Sequence, residues 1–391
     1  MLNISTKLRS IPPYAFDEMN KIVAQLAAEG VDVIDFGTGD PRDETPDFIR
    51  NAAKAAIDSH KTSGYPSYIG MKKFRDTVAQ WYQRRFKVAL DPETEITSTI
   101  GSKEGIFNFQ QAFLETGDYV LMPSPGYPPY FSGTIFAGGI PYRYPLLAEN
   151  NLFPDFSKIP DEIAKKAKIF WLCYPNSPTG KLATVKLFEQ SLEFCQKHNI
   201  ILASDECYID LYFREKTISA LEVGKKGVIA FHSLSKRNNM TGYRVGFACG
   251  DPEIITVFKK LKTNIDSGTS SFMQEAAIAA LNDDTHVQLM REKYQQRKDL
   301  MVAAFKKSGL QIDEPEGTFY IWQRVPSGHD SVSFAKRLLE KDCAIAVTPG
   351  QWLSDTCDNG VNPGDNYVRL ALVESAERVA EAAERISKLK L

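Results

Sequence analysis

The chain has no paired-cysteine spacing, no histidine cluster, no long apolar run and almost no net charge. Each absence removes a class of function. The six cysteines (Cys173, Cys195, Cys207, Cys249, Cys343 and Cys357) include no Cys-x-x-Cys pair, which argues against a thiolate metal site or a redox motif. Several fall in apolar, strand-like runs, where a reduced buried thiol is the expected state; that usage points to the cytoplasm. None of the five histidines (His60, His198, His232, His286 and His329) has metal-ligand spacing, so no metal is expected. The opening MLNISTKLRSIPPY lacks the apolar core of a signal peptide, and no stretch approaches a membrane span. A net charge of −2 gives no reason to expect nucleic acid or an acidic membrane as partner. No repeat or low-complexity segment is visible. Neither GxxxxGK[ST] nor a strand-following GxGxxG occurs, so nucleotide and dinucleotide sites have little support.

What is present is an ordinary globular composition, 43% hydrophobic and 25% charged over 391 residues, long enough for two domains or one large domain with an appendage. From about residue 95 to 250, short apolar runs alternate with helical patterns. Strands are expected at Ile96–Ile100, Tyr119–Pro123, Ile169–Tyr174, Ile200–Ser204, Val228–Ser233 and Val245–Cys249, with helices near 103–115 and 184–198. Such alternation predicts an α/β fold with a mostly parallel sheet between helices, and the uninterrupted apolar strands fit a sheet buried on both faces. After residue 284 the pattern becomes α+β: a long helix Thr285–Lys307, the segment Gly317–Trp322, a helix 331–341, strands Ala344–Val347 and Tyr367–Val373, and a terminal helix. Three segments are expected: an N-terminal arm and crossover (1–45) joining the small domain, a large domain (46–283) and a small C-terminal α+β domain (284–391).

Four clusters carry chemistry. Ser233-Leu-Ser-Lys236 ends an apolar run, with Asp205 thirty-one residues upstream and Arg244 eight downstream. Lysine shifts its pKa readily when partly desolvated, as a Schiff-base lysine must. Ser233, Ser235 and Arg244 supply two hydroxyls and a forked cation suited to a phosphate. The turn Gly101-Ser-Lys-Glu-Gly105 opens a helix whose N–H groups favour an anion. Asp205 and Tyr208 place a carboxylate and a phenol within one turn, the pair that pyridoxal phosphate (PLP) needs at its ring nitrogen and ring hydroxyl. Tyr174-Pro-Asn-Ser-Pro-Thr-Gly180 is a strand-end turn that carries Asn176 and Ser177. Arg369 sits inside an apolar strand, where a lone cation is costly unless paired and where a bidentate carboxylate clamp is one use for it. Ser233–Lys236 also spells the S-x-x-K of penicillin-binding serine enzymes, but the S-D-N and K-T-G companions are missing.

Taken in order, Gly37, Tyr65, Tyr127, the Asn-Ser-Pro-Thr-Gly turn, Asp205–Tyr208, Ser-x-Ser-Lys236, Arg244 and Arg369 resemble the class I/II aminotransferases of PLP fold type I, over essentially the whole chain. The resemblance implies a large domain with a mostly parallel seven-stranded sheet and a smaller α+β domain. It implies PLP held covalently by Lys236, which also moves the substrate proton, with Asp205 at the pyridinium and Tyr208 at the ring hydroxyl. Ser233, Ser235, Arg244 and the backbone near Ser102 and Lys103 would hold the phosphate. Tyr127 would stack on the ring, and Tyr65 would reach the phosphate of a neighbouring subunit in a homodimer with shared sites. Arg369 would clamp the substrate α-carboxylate beneath the Gly37 backbone. The family usually has Asn before Pro-Thr-Gly; Ser177 stands there, so the ring contact falls to Ser177, to Asn176 or to a water.

Pro12-Pro-Tyr14, Gly101–Gly105, Pro125-Gly-Tyr-Pro128 and Thr134–Gly139 look like the diaminopimelate-type branch, which includes the LL-diaminopimelate and N-succinyl-diaminopimelate aminotransferases. In that branch, residues matching Tyr14 and Lys103 help hold substrate. The expected reaction moves an amino group between an amino acid and a 2-oxo acid, with 2-oxoglutarate and glutamate as the second pair. Alanine or aromatic transamination and C–S β-lyase chemistry share the same cofactor residues. A PLP-binding regulator with an added DNA-binding domain is disfavoured, since only about 36 residues precede the first motif.

Overall fold

A computed structural model describes residues 3–12 and 17–389, with residues 17–20 described by their backbone alone; Tyr14 lies outside this range. The described strands are β1 Ile34–Asp35, β2 Ile96–Thr99, β3 Tyr119–Ser124, β4 Ile140–Pro145, β5 Ala167–Cys173, β6 Ile201–Asp205, β7 Val228–Ser233, β8 Gly246–Gly250, β9 Tyr320–Arg324, β10 Ile345–Ala346, β11 Thr348–Pro349 and β12 Tyr367–Ala371.

Seven strands form one sheet in the order β2-β8-β7-β6-β5-β3-β4. Strands β3 to β7 run parallel, and β8 alone is antiparallel to both of its neighbours. The central strands are apolar at nearly every position because helices cover both faces. The period-two alternation divides them between two cores. Phe170 and Leu202 pack with Phe74 and Trp81 on one face. Trp171 and Ala203 pack with Phe109, Phe231 and Phe258 on the other. The parallel strands therefore end along one edge, where Cys173 pairs with Asp205 and Asp205 with Phe231. In open parallel sheets this edge is where ligands bind.

A second sheet, β11-β12-β9, is antiparallel, and β1 pairs in parallel with β10. Its core joins Ile34 and Phe36 to Met301, Phe305, Ile321, Leu338, Leu370 and Ile386. The N-terminal strand is thus packed with residues from the last quarter of the chain.

All six strands expected between 95 and 250 are present, and the helix Thr285–Lys307 has its expected limits. The helix expected near 103–115 starts earlier, at Gly101, and tightens into a 3-10 turn at Gln110–Ala112. The strand expected at Ala344–Val347 is shorter, Ile345–Ala346, and pairs with β1; a second short strand, Thr348–Pro349, follows it and pairs with β12. Strand β4, Ile-Pro-Tyr-Arg-Tyr-Pro, escapes the sequence pattern because it lies at the sheet edge, where proline is tolerated and one side meets water.

Candidate active site

Lys236 lies on a one-turn helix, Leu234–Arg237, that starts where β7 stops. Ser233 caps it, accepting from the Ser235 N–H at 3.2 Å. The next residue, Arg237, anchors the turn from below: its guanidinium donates to Asp210 at 2.6 Å, to Asp284 at 2.6 Å and to the Ala280 carbonyl at 3.0 Å. Arg85 holds the other Asp210 oxygen at 3.0 Å. With the backbone fixed, the Lys236 amine reaches across to the crossover after β1 and donates to the Gly39 carbonyl at 2.7 Å.

Asp205 ends β6 and is buried. It accepts from the Tyr130 hydroxyl at 2.7 Å and the Cys207 N–H at 3.1 Å. Burial pushes its carboxyl pKa up, against those two hydrogen bonds, which pull it down. Every donor to it is neutral, and no cation pairs with it among the described residues. A buried carboxylate held only by neutral donors is costly, and a cationic ring nitrogen is the group it lacks. Tyr130 stacks on Trp171 at 4.9 Å and meets the Tyr127 ring edge-on at 5.9 Å, which links the Asp205 support to Tyr127 at the start of the same helix, Pro128–Ala137.

The anion cup is formed by three segments. No side chain caps the helix Gly101–Phe109 from Ile100, so the first-turn N–H groups remain as donors. Gly101 has φ +71°, and a Cβ there would collide with Arg244 Nη2, so the arginine is set directly against the helix start. Arg244 donates to the Thr241 carbonyl at 2.7 Å and to Ser235 Oγ at 3.5 Å, and no carboxylate neutralises it among the described residues. Ser233 and Ser235 are both buried beside it. Amides, hydroxyls and an unneutralised guanidinium in one place suit a phosphate.

Opposite the cup, Arg369 on β12 is buried. It donates through Nη2 to the Gly37 carbonyl at 2.6 Å and to Thr348 Oγ1 at 3.1 Å. Its Nε is buried without a partner, an open donor position of the kind a ligand carboxylate fills. Its guanidinium lies over the Tyr320 ring at 4.8 Å. The Tyr320 hydroxyl meets the Tyr208 hydroxyl at 3.1 Å. It also fills the space beside Gly39, where a Cβ would collide with it.

The structure therefore gathers Lys236, Asp205, Tyr208, Tyr127, Ser233, Ser235, Arg244, Ser102, Gly37 and Arg369 about the sheet edge. Asn176 is fully buried and spent within its own turn, donating to the Cys173 carbonyl at 3.1 Å and accepting from Thr179 Oγ1 at 2.7 Å and Thr179 N at 3.1 Å. Ser177, the other residue of the pair, is half-buried. Lys103 is exposed on the first helical turn without a hydrogen-bond or ion-pair partner among the described residues. Tyr65 stands on a loop, 89% exposed, and is not turned into this chain's own site. Sequence reasoning missed Tyr130, Tyr320, Thr348 and Gly39. Tyr130 had a faint signal: it lies three residues after Tyr127, on the same face of a helix. Tyr320 lay within the noted segment Gly317–Trp322, with nothing local to mark it out.

A sheet of this order, with a lysine just beyond its parallel strand ends, is the architecture of the fold type I transferases. Sequence comparison makes the class specific: the chain belongs to the aminotransferase class I and II family, whose model matches residues 31–386. It is 45% identical to the LL-diaminopimelate aminotransferase of Aquifex aeolicus (strain VF5) over 395 residues, covering 100% of both chains. Among solved structures it resembles BacF of Bacillus subtilis in its apo form, with a TM-score of 0.92 and 33% identity over 100% of this chain and 99% of that one. It also resembles a probable N-succinyldiaminopimelate aminotransferase of Thermus thermophilus, with a TM-score of 0.87 and 30% identity over 95% and 99% of the two chains. The protein is an aminotransferase.

Proposed function

We propose that the protein is a PLP-dependent aminotransferase that exchanges the amino group of LL-diaminopimelate, or of its N-succinyl form, with 2-oxoglutarate. The observation that carries the cofactor reading is Asp205, a buried carboxylate with neutral donors and no cation among the described residues. The cup formed by Gly101, Ser233, Ser235 and Arg244 supports it. The substrate reading rests on the diaminopimelate relatives and on the unpartnered Lys103, a cation free to meet a distal carboxylate.

Bound PLP would supply an electron sink conjugated to the amino group in transit. The chain's own residues do the rest. The cup and Arg244 would hold the phosphate, Tyr127 would cover a ring face, and Asp205 would present negative charge to the ring nitrogen. Tyr208 and Ser177 are the donors available to the ring hydroxyl. Arg369 seats the substrate α-carboxylate, with Nε still open and Nη2 held by Gly37 and Thr348. The Lys236 amine, leaving the Gly39 carbonyl, takes the proton from the substrate Cα and returns it on the cofactor side, as a base within contact of both must.

The reading extends to assembly and organisation. Tyr65 supports a homodimer in which each chain completes its partner's site. The separate core around Ile34, Phe305 and Leu370 supports a division into an arm and crossover (1–45), a large domain (46–283) and a small domain (284–391). Six buried cysteines, none bonded to another, support a cytoplasmic setting. No described helix is long and apolar enough to cross a membrane.

A half-reaction screen tests the function. Holoenzyme is mixed with single amino acids while the visible absorbance of the cofactor is followed. LL-diaminopimelate or its N-succinyl form should discharge that absorbance faster than alanine or the aromatic amino acids. Silence with both diaminopimelate compounds would reject the substrate.

A further inference from the structure

Lys262 is the last residue of the helix Pro252–Lys262 and is completely buried. Its amine lies 3.0 Å from both Glu104 oxygens and 2.9 Å from Asp266 Oδ2. Glu104 sits on the first turn of the cup helix. Its Oε2 also accepts the Ile100 N–H at 2.9 Å, and its Oε1 accepts from Asn108 at 3.0 Å. The carboxylate thus ties down the backbone entering the cup and leaves the N–H groups of residues 101–103 for an anion. Its charge, however, sits on the same first turn as the N–H groups that would receive a phosphate, and like charges at close range repel strongly away from bulk water.

Asp266 extends the link on the other side. Its Oδ1 accepts the Gly268 N–H at 2.7 Å. Gly268 has φ +82°, and a Cβ there would stand 2.6 Å from the Ser67 carbonyl, so the two loops are in backbone contact. Thr269 then donates to the Thr99 carbonyl at 2.9 Å, at the end of β2 beside the cup. One buried ammonium therefore holds the cup helix and the 266–269 loop together.

We propose that Lys262 is a positioning residue for cofactor binding: by neutralising Glu104 it lets that carboxylate hold the cup backbone without repelling the phosphate. The inference rests on the PLP reading above and deepens it. It is an electrostatic role, and a purely structural one would respond differently to paired substitutions.

The test measures PLP affinity of the apoprotein by absorbance titration, and the rise in thermal midpoint that inorganic phosphate gives the apoprotein. Lys262→Met should weaken PLP binding by roughly tenfold, the scale of leaving a partly buried carboxylate without its cation, and should abolish the phosphate effect. Lys262→Arg should restore both. The double variant Lys262→Met/Glu104→Gln should bind PLP more tightly than Lys262→Met alone, because the stray charge is gone. If Lys262→Met does not fold, Glu104→Gln decides: with one of the two carboxylates gone and Lys262 still paired to Asp266, it should bind PLP more tightly than the wild type. Affinity of Lys262→Met within twofold of the wild type, a double variant no better than the single one, or a Glu104→Gln variant that binds no more tightly would each overturn the proposal. The PLP reading fails separately, if borohydride reduction of the wild type with PLP leaves no phosphopyridoxyl mass on Lys236.

Discussion

Tyr320 stands between groups separated by long stretches of sequence. Its hydroxyl meets Tyr208, its ring lies under Arg369, and its tip occupies the space that Gly39 leaves open beside the Lys236 acceptor. One side chain thus touches the element that seats the carboxylate and the one that addresses the cofactor ring. The two functions separate by substitution. Tyr320→Phe keeps the ring beneath Arg369 and removes the hydroxyl, so KM should hold while the pH at which the bound cofactor changes its visible absorbance moves. Tyr320→Leu removes the ring too. Loss of about 1 kcal/mol of cation–ring attraction should raise KM for both substrates roughly fivefold. An unchanged absorbance titration in Tyr320→Phe would show that the Tyr208 contact does not reach the cofactor.

At the scale of elements, the end of β6 holds two adjacent carboxyl groups in different settings. Asp205 engages Tyr130, whereas Glu206 accepts from Ser204 Oγ at 3.0 Å, Ser219 Oγ at 3.1 Å and the Ala220 N–H at 2.8 Å. Its second oxygen lies 3.4 Å from His232 Nε2, and burial pushes that imidazole down to about 3, so it is neutral. Burial raises the Glu206 pKa to about 7, against its hydrogen bonds. An unfolded glutamate loses its proton near pH ~4.3. Between those values the folded chain retains a proton that the unfolded chain has released, so stability falls as pH rises through the window, by about 4 kcal/mol in all. Glu206→Gln keeps an acceptor for the three donors and removes the titration. Thermal melts should therefore show the variant gaining on the wild type from acid to neutral pH, and a constant difference would contradict the assignment.

The same elements show what the sequence made legible. Strands covered on both faces are near-continuous apolar runs, so β3 and β5 to β8 could be read directly, and Lys236, Asp205 and Arg244 were found because they interrupt or end those runs. The helix Pro128–Ala137 was hidden by its opening Pro-Pro, which reads as a turn although proline is at home in a first helical turn. The split of 344–349 between two sheets was hidden because local pattern does not name a pairing partner. The roles of Tyr130 and Tyr320 were obscured for the same reason: their partners lie 75 and 112 residues away.

At the scale of the molecule, Tyr65 is the residue that a single chain does not explain. A large phenol 89% exposed on a loop, next to the half-exposed Tyr68 and close to the 266–269 loop, fits a surface covered by a second copy. If Tyr65 completes a neighbour's cup, Tyr65→Ala and Lys236→Ala should damage opposite halves of the shared sites. Mixing the two inactive or weakened proteins under conditions that exchange subunits should then recover activity that neither shows alone, because each hybrid contains one intact site. No recovery despite demonstrated exchange would place Tyr65 outside the partner's site.

The pairing of β1 with β10 also sets a timetable. Ile34 and Asp35 have no strand partner until Ile345 and Ala346 exist, roughly three hundred residues later in synthesis. At common rates of translation that is a wait of about 15 to 60 seconds. Throughout that interval Gly37 and Gly39, the carbonyls that receive Arg369 and Lys236, hang on an undocked leader. The part of the catalytic edge that leaves the ribosome first is therefore the part installed last, and a nascent chain stalled before residue 345 carries its lysine without the backbone that receives it.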